Sequence, residues 1–215
     1  MARANRRGFV PFCTSGCSTH RFIIHSEAEL RHLSDPSTFF DLLTVDTFAN
    51  LYAHQSGHRT DCAVVNCTYD FDGSLVNVEQ EGNNLHKDAE LIIAPVLKSH
   101  HFSVMCLLPS KKRAIVYSQD GQPVSYWNDH LTYLLPNCFG AQEAADWDFT
   151  KKTYPHNSPD SPDCGPFCCL ITRQLLEGRN PDTITYSPLD PARSRQEVVD
   201  TLRDLYDKFG YTPRE

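Results

Sequence analysis

Three apolar runs stand close together in the middle of this chain: Leu91–Val96, Phe102–Leu108 and Ala114–Ser118. Each has the length of a strand, and β-branched or aromatic residues carry much of each. The second and third are joined by the lysine-bearing turn Pro109–Lys112, so they read as a hairpin. Such a sheet needs cover, and the flanking sequence predicts helices to supply it. Val45–Gln55 has an apolar face in Val45, Phe48, Ala49, Leu51 and Tyr52, with Thr44 as its expected N-cap. Cys164–Glu177 is the strongest helix, with Pro166 in its first turn and Gly178 as its stop. Arg195–Phe209 carries Val198, Val199, Leu202, Leu205 and Tyr206 on one side. Val124–Leu135 is a further helix, expected to stop at Pro136. Cys62–Asp70 reads as a strand before the turn Asp72-Gly73, and Arg21–His25 gives a weak strand signal. Helix, then strands, then helices is an α+β order.

At 215 residues and 40% hydrophobic the chain is long enough for one sizeable core. Its formal charge of −7, from 20 basic and 27 acidic residues, argues against a bulk nucleic-acid binder. The start, Met1 to Arg7, is basic but lacks the apolar stretch of a signal peptide. No later run is long enough to span a bilayer. The expectation is an intracellular protein, cytoplasmic or nuclear. Nine cysteines, an odd number, do not suit a disulfide framework in that setting. Cys13, Cys17, His20 and His25 lack a second pair at zinc-finger spacing, and neither metal nor cofactor is expected.

The chemistry-bearing residues lie at the edges of these elements. A thiol is a weak nucleophile until ionised, and a helix N-terminus favours the thiolate. Cys164 sits at such a start, while Cys168 and Cys169, one turn inside, read as core. His101 opens the strand Phe102–Leu108, and successive strand residues face opposite sides, so only one of His100 and His101 can serve as base. A base histidine needs an acceptor on its other ring nitrogen. Asp120 stands at the far end of the hairpin, at the same edge of the sheet as His101. As a residue before Gly121 it is equally a good turn former.

With those segments placed, the chain resembles the ubiquitin-like-protein protease superfamily, which includes the SUMO-specific (sentrin-specific) proteases and adenain. The family order of His, acid, Gln and Cys is similar to the order here. Ile92-Ile93-Ala94-Pro95 followed by His101-Phe102-Ser103 matches its strand–turn–histidine pattern, with Phe in place of the usual Trp. The six-residue step from Pro95 selects His101 over His100. Asp163-Cys164-Gly165 matches the nucleophile motif, and Phe167-Cys168-Cys169 resembles the adenain version of the helix. Leu42–Phe48 looks like the opening helix of the SUMO-protease domain without its Trp. Two positions depart. Family spacing puts the acid near Ser118 or, with one inserted residue, at Gln119; Asp120 is the only carboxylate there and is preferred over Gln119. The oxyanion glutamine is missing, and Asn157, seven residues before Cys164, is the amide in its place.

The resemblance implies a papain-like cysteine protease fold in His-Asp-Cys order, with a central, mostly antiparallel sheet packed by helices. It covers about residues 38–207 of a domain set at 37–215, after an N-terminal segment, 1–36, that is either flexible or in contact with substrate. It implies cleavage after small, Gly-Gly-like residues by Cys164, His101, Asp120 and Asn157. The substrate would be a ubiquitin-like modifier conjugate or a viral structural protein or polyprotein, and in the viral case the setting is a host cell. The enzyme would act as a monomer, with nucleic acid at most an activator. Two other readings stay open: an acetyltransferase on the same scaffold, and a catalytically degenerate module that binds a ubiquitin-like protein.

Overall fold

The hairpin at the centre organises everything else. In the computed structural model, which describes residues 23–55, 61–71, 74–77, 88–139, 144–155, 161–187 and 191–213, seven strands form one sheet. They are β1 (Cys62–Val64), β2 (Thr68–Phe71), β3 (Ser74–Asn77), β4 (Leu91–Lys98), β5 (His101–Leu108), β6 (Arg113–Ser118) and β7 (Asp148–Thr153). The order is β3-β2-β4-β5-β6-β7, and β1 also pairs with β4. The pairs β4–β5 and β5–β6 are antiparallel, as is β2–β3. The pairs β1–β4, β2–β4 and β6–β7 are parallel, so the sheet is mixed, with an antiparallel centre.

The expected single strand Cys62–Asp70 is two strands that share one edge of β4. Val64 is level with Ile93 and Thr68 with Val96. Pro95, which has no N–H for a ladder, falls between them, so a proline is tolerated inside a central strand.

Alternation along the strands sends side chains to two cores. Ile93, Phe102, Val104, Cys106, Ile115 and Tyr117 face one, with α2 (Leu42–Gln55), α4 (Cys164–Leu176) and α5 (Pro191–Lys208). Ile92, Ala94, Val96, Met105, Leu107 and Val116 face the other, with Trp127, Trp147 and α3 (Asn128–Phe139). No helix among the described residues is long and apolar enough to cross a membrane.

Several local expectations are corrected. Helix α2 begins two residues before Thr44, because the Asp41 carboxylate accepts from both the Thr44 N–H and its hydroxyl, each at 2.7 Å. Asp41 is therefore the cap. Helix α3 starts at Asn128, after a 3-10 turn over Val124–Trp127, and runs through Pro136 to Phe139. Proline costs one backbone bond there. The last turn is held by the burial of Cys138 and by Phe139 stacked on Trp147 at 5.9 Å.

Residues 23–26 form no strand; Ser26 instead caps α1 (Glu27–Ser34) through a reciprocal pair with Glu29. Leu30 and Leu33 of α1 are buried in the first core, so this part of the chain packs on the domain. His25, one of the four Cys and His residues of the N-terminal segment, is also buried. Its Nδ1 lies 2.6 Å from the Tyr206 hydroxyl and its Nε2 3.0 Å from Thr44 Oγ1.

Candidate active site

Cys164 is the first residue of α4 and is buried. The main-chain N–H groups of Phe102, Gly165 and Cys164 favour its thiolate. Burial pushes the thiol above its ordinary 9.0, and the Asp163 carboxylate adds to this; the three N–H groups pull the other way. Cys168 and Cys169 are inside the core, and burial raises both further. The Cys168 thiol donates to Ser103 O at 3.5 Å, which fixes α4 across the start of β5.

Phe102 and Cys164 pack in the same core, and Phe102 follows His101, so the two halves of the site meet there. Ser99 (φ 48°) and His100 (φ 63°) make the turn between β4 and β5 in the left-handed region. His100 is exposed in that turn. His101 is the first residue of β5, opposite Lys98, and is half-buried. The fold therefore brings residues 101 and 164 to one corner, where the N-terminus of α4 meets the open end of the hairpin.

The candidate acceptors occupy the same end of β6. Val104 is level with Tyr117, the last pair of this ladder, and Gln119 and Asp120 follow just beyond the end of β6. Asp120 is engaged by β7: its Oδ1 and its carbonyl both accept from Lys151 Nζ at 2.7 Å. The same ammonium reaches Gln122 O, so it closes the turn after β6. Gln119 is buried, and its Nε2 donates to Pro155 O at 2.9 Å. Ser118, at the family spacing for the acid, accepts from the Ser103 hydroxyl at 2.9 Å and from the Asp120 N–H at 3.2 Å. Asn157 lies outside the described residues.

Two contributors, Arg195 and Phe40, were not singled out from sequence. Arg195 is wholly buried at the start of α5. It donates to Pro162 O at 2.6 Å and Leu33 O at 3.3 Å, its Nε is 3.7 Å from Asp163 Oδ1, and its Cζ lies 5.3 Å over the Phe40 ring. It thus ties together the end of α1, the segment before α2 and the loop that delivers Cys164. Phe40 in turn packs on Gly165, where any Cβ would lie 2.5 Å from Phe40 Cβ. The glycine after the cysteine is required by that approach. A signal for Arg195 existed: it lies on the apolar stripe of its own helix, in step with Val198, Val199 and Leu202. Among the described residues no group of three or more His, Cys, Asp or Glu could hold a metal ion.

The architecture is that of the SUMO-protease catalytic domain. A de-sumoylating protease is 14% identical over 89% of this chain and 89% of that one, with a TM-score of 0.60. The SUMO protease Ulp1 with its catalytic cysteine oxidised to a sulfinic acid is 16% identical over 83% of each chain, at 0.55. The Ulp1 protease domain in complex with SMT3, the yeast ortholog of SUMO, is 14% identical over 84% of this chain and 87% of that one, also at 0.55. What is shared at this identity is the fold: α+β, with a mixed central sheet flanked by helices. No protein-family model and no curated protein sequence matches the chain.

Proposed function

We propose that this chain is a cysteine protease that cleaves a peptide or isopeptide bond after a small, Gly-Gly-like residue at the C-terminus of a ubiquitin-like modifier. One observation carries the reading. The thiol of Cys164, buried at the N-terminus of a helix, packs in one core with Phe102, the residue that follows His101, in a fold shared with SUMO proteases.

The chemistry follows from these groups. His101 takes the proton of Cys164, and the thiolate attacks the carbonyl carbon. The helix N-terminus and the main-chain N–H groups favour that anion. The tetrahedral oxyanion is met by the Cys164 N–H and the side-chain amide of Asn157. Collapse breaks the C–N bond; His101 gives its proton to the leaving amine, and a thioester remains. Water, deprotonated by His101, then hydrolyses the thioester and frees the thiol.

The test is a panel of ubiquitin-like modifiers ending in a C-terminal aldehyde or vinyl sulfone. The expected result is covalent capture at Cys164 by one tail, lost in Cys164→Ser and His101→Ala with the fold intact. Capture at Cys168 or Cys169 instead, or binding without capture, would refute a protease built on Cys164.

A further inference from the structure

We infer that Gln119, not the neighbouring carboxylate Asp120, is the positioning residue that holds the imidazole of His101; this rests on the protease reading above. A base histidine beside a thiol needs a fixed acceptor for its second ring N–H, and either a carboxylate or an amide oxygen can serve with a cysteine nucleophile.

The two candidates differ in what already occupies them. Asp120 is held by Lys151 at 2.7 Å through both its carboxylate and its carbonyl. That ammonium spends its three donors within the turn, the third on Gln122 O. Asp120 is thereby a turn anchor whose charge is already paired.

Gln119 has the opposite character. Only 6% of it is exposed. Its Nε2 is fixed on Pro155 O at 2.9 Å, which settles where the other amide atom goes. That atom, Oε1, is buried and accepts from no donor among the described residues. A buried carbonyl left without a donor costs about 1–3 kcal/mol, so such an acceptor is kept where a donor is wanted. Gln119 lies two residues after Tyr117, so by alternation it shares the face of Tyr117, the face on which Cys164 lies. Its other link, Pro155, opens the segment that leads to Cys164. One side chain thus couples the end of β6 to the approach of the nucleophile.

An amide acceptor makes a distinct prediction from a carboxylate. It orients the ring without adding a negative charge, so it does little to hold the imidazolium at higher pH. Gln119→Glu keeps the length and supplies that charge.

The experiment measures alkylation of Cys164 by iodoacetamide in the full chain across pH, with the His101 ring titration followed by NMR. Gln119→Ala should slow the histidine-dependent alkylation about tenfold or more, within the range of a lost positioning contact. Gln119→Glu should retain most of the rate and move the His101 titration upward by about one pH unit or more. Asp120→Asn should change neither by more than about threefold, because the lysine still has the main-chain carbonyls. A steep loss in Asp120→Asn with Gln119→Ala near wild type overturns the assignment. So does a Gln119→Glu variant, folded by its NMR spectrum, in which His101 titrates as in wild type. Alkylation that never depended on His101 overturns the protease reading instead, and the orienting role with it.

Discussion

Removing the guanidinium of Arg195 isolates how the loop before Cys164 is held. In Arg195→Met the stem is kept and the head is lost. The Asp163 carboxylate, 2% exposed, then loses that cation, and Pro162 O and Leu33 O each lose a charged donor. Breaking one side of a buried pair costs about 3–5 kcal/mol, largely because the remaining charge is stranded. Taking about 4 kcal/mol, and about 2–4 °C per kcal/mol for a domain of this size, the midpoint should fall by about 8–16 °C. Asp163→Asn should cost a comparable amount by stranding the guanidinium. The double variant should then lose less than the sum of the two, by about 2–3 kcal/mol, since neither charge is stranded in it. Urea unfolding of the four proteins measures the cycle. A single-variant loss under about 1 kcal/mol, or two losses that simply add, would refute the view that this pair holds the loop.

Three further outcomes are expected. His100→Gly should raise stability by about 0.5–1 kcal/mol, the left-handed cost of a non-glycine residue at φ 63° less the added freedom of glycine, and should leave capture at Cys164 unchanged; loss of capture would give His100 the base role. Gly165→Ala should cost about 1–3 kcal/mol and slow capture, because its Cβ would meet the backbone-bound Cβ of Phe40 at 2.5 Å; unchanged labelling would show that the cysteine does not depend on this packing. Alkaline pH should destabilise the fold steeply. Burial pushes Cys106 and Cys138 from 9.0 to about 12, so the unfolded chain releases these protons first; the stability they contribute is whole below about pH 9 and is lost as pH rises toward 12. A urea midpoint that does not move between about pH 7 and about pH 10 would contradict this.

The parts of the fold legible in the sequence are those where period and punctuation agree. β4, β5, β6 and α4 announce themselves by apolar runs bounded by turns, by Pro166 and by Gly178. β7 was not legible. Its sequence, Asp148–Thr153, is charged and half-exposed, and it is a strand because it pairs in parallel with the buried β6, a tertiary cause that no local pattern carries. Helix α1 was missed for a different reason. The capping-box pair Ser26 and Glu29 is a helix-start signal, but the β-branched Ile23 and Ile24 just before it give a competing strand signal.

The site divides along the same line. Cys164 and His101 stand out in the sequence because each opens a regular element, and element starts are where helix dipoles and strand edges expose chemistry. The choice between Gln119 and Asp120 was different in kind. On residue type alone a carboxylate is the better partner for an imidazolium, and that favours Asp120. What changes the balance is Lys151, 31 residues further along and brought alongside by β7, the strand the sequence hid. A residue's own chemistry sets what it can do, but whether it is available depends on what the fold has already placed against it. The hidden strand neutralises the visible carboxylate, and the neutral amide beside it is the group left with a buried acceptor to offer.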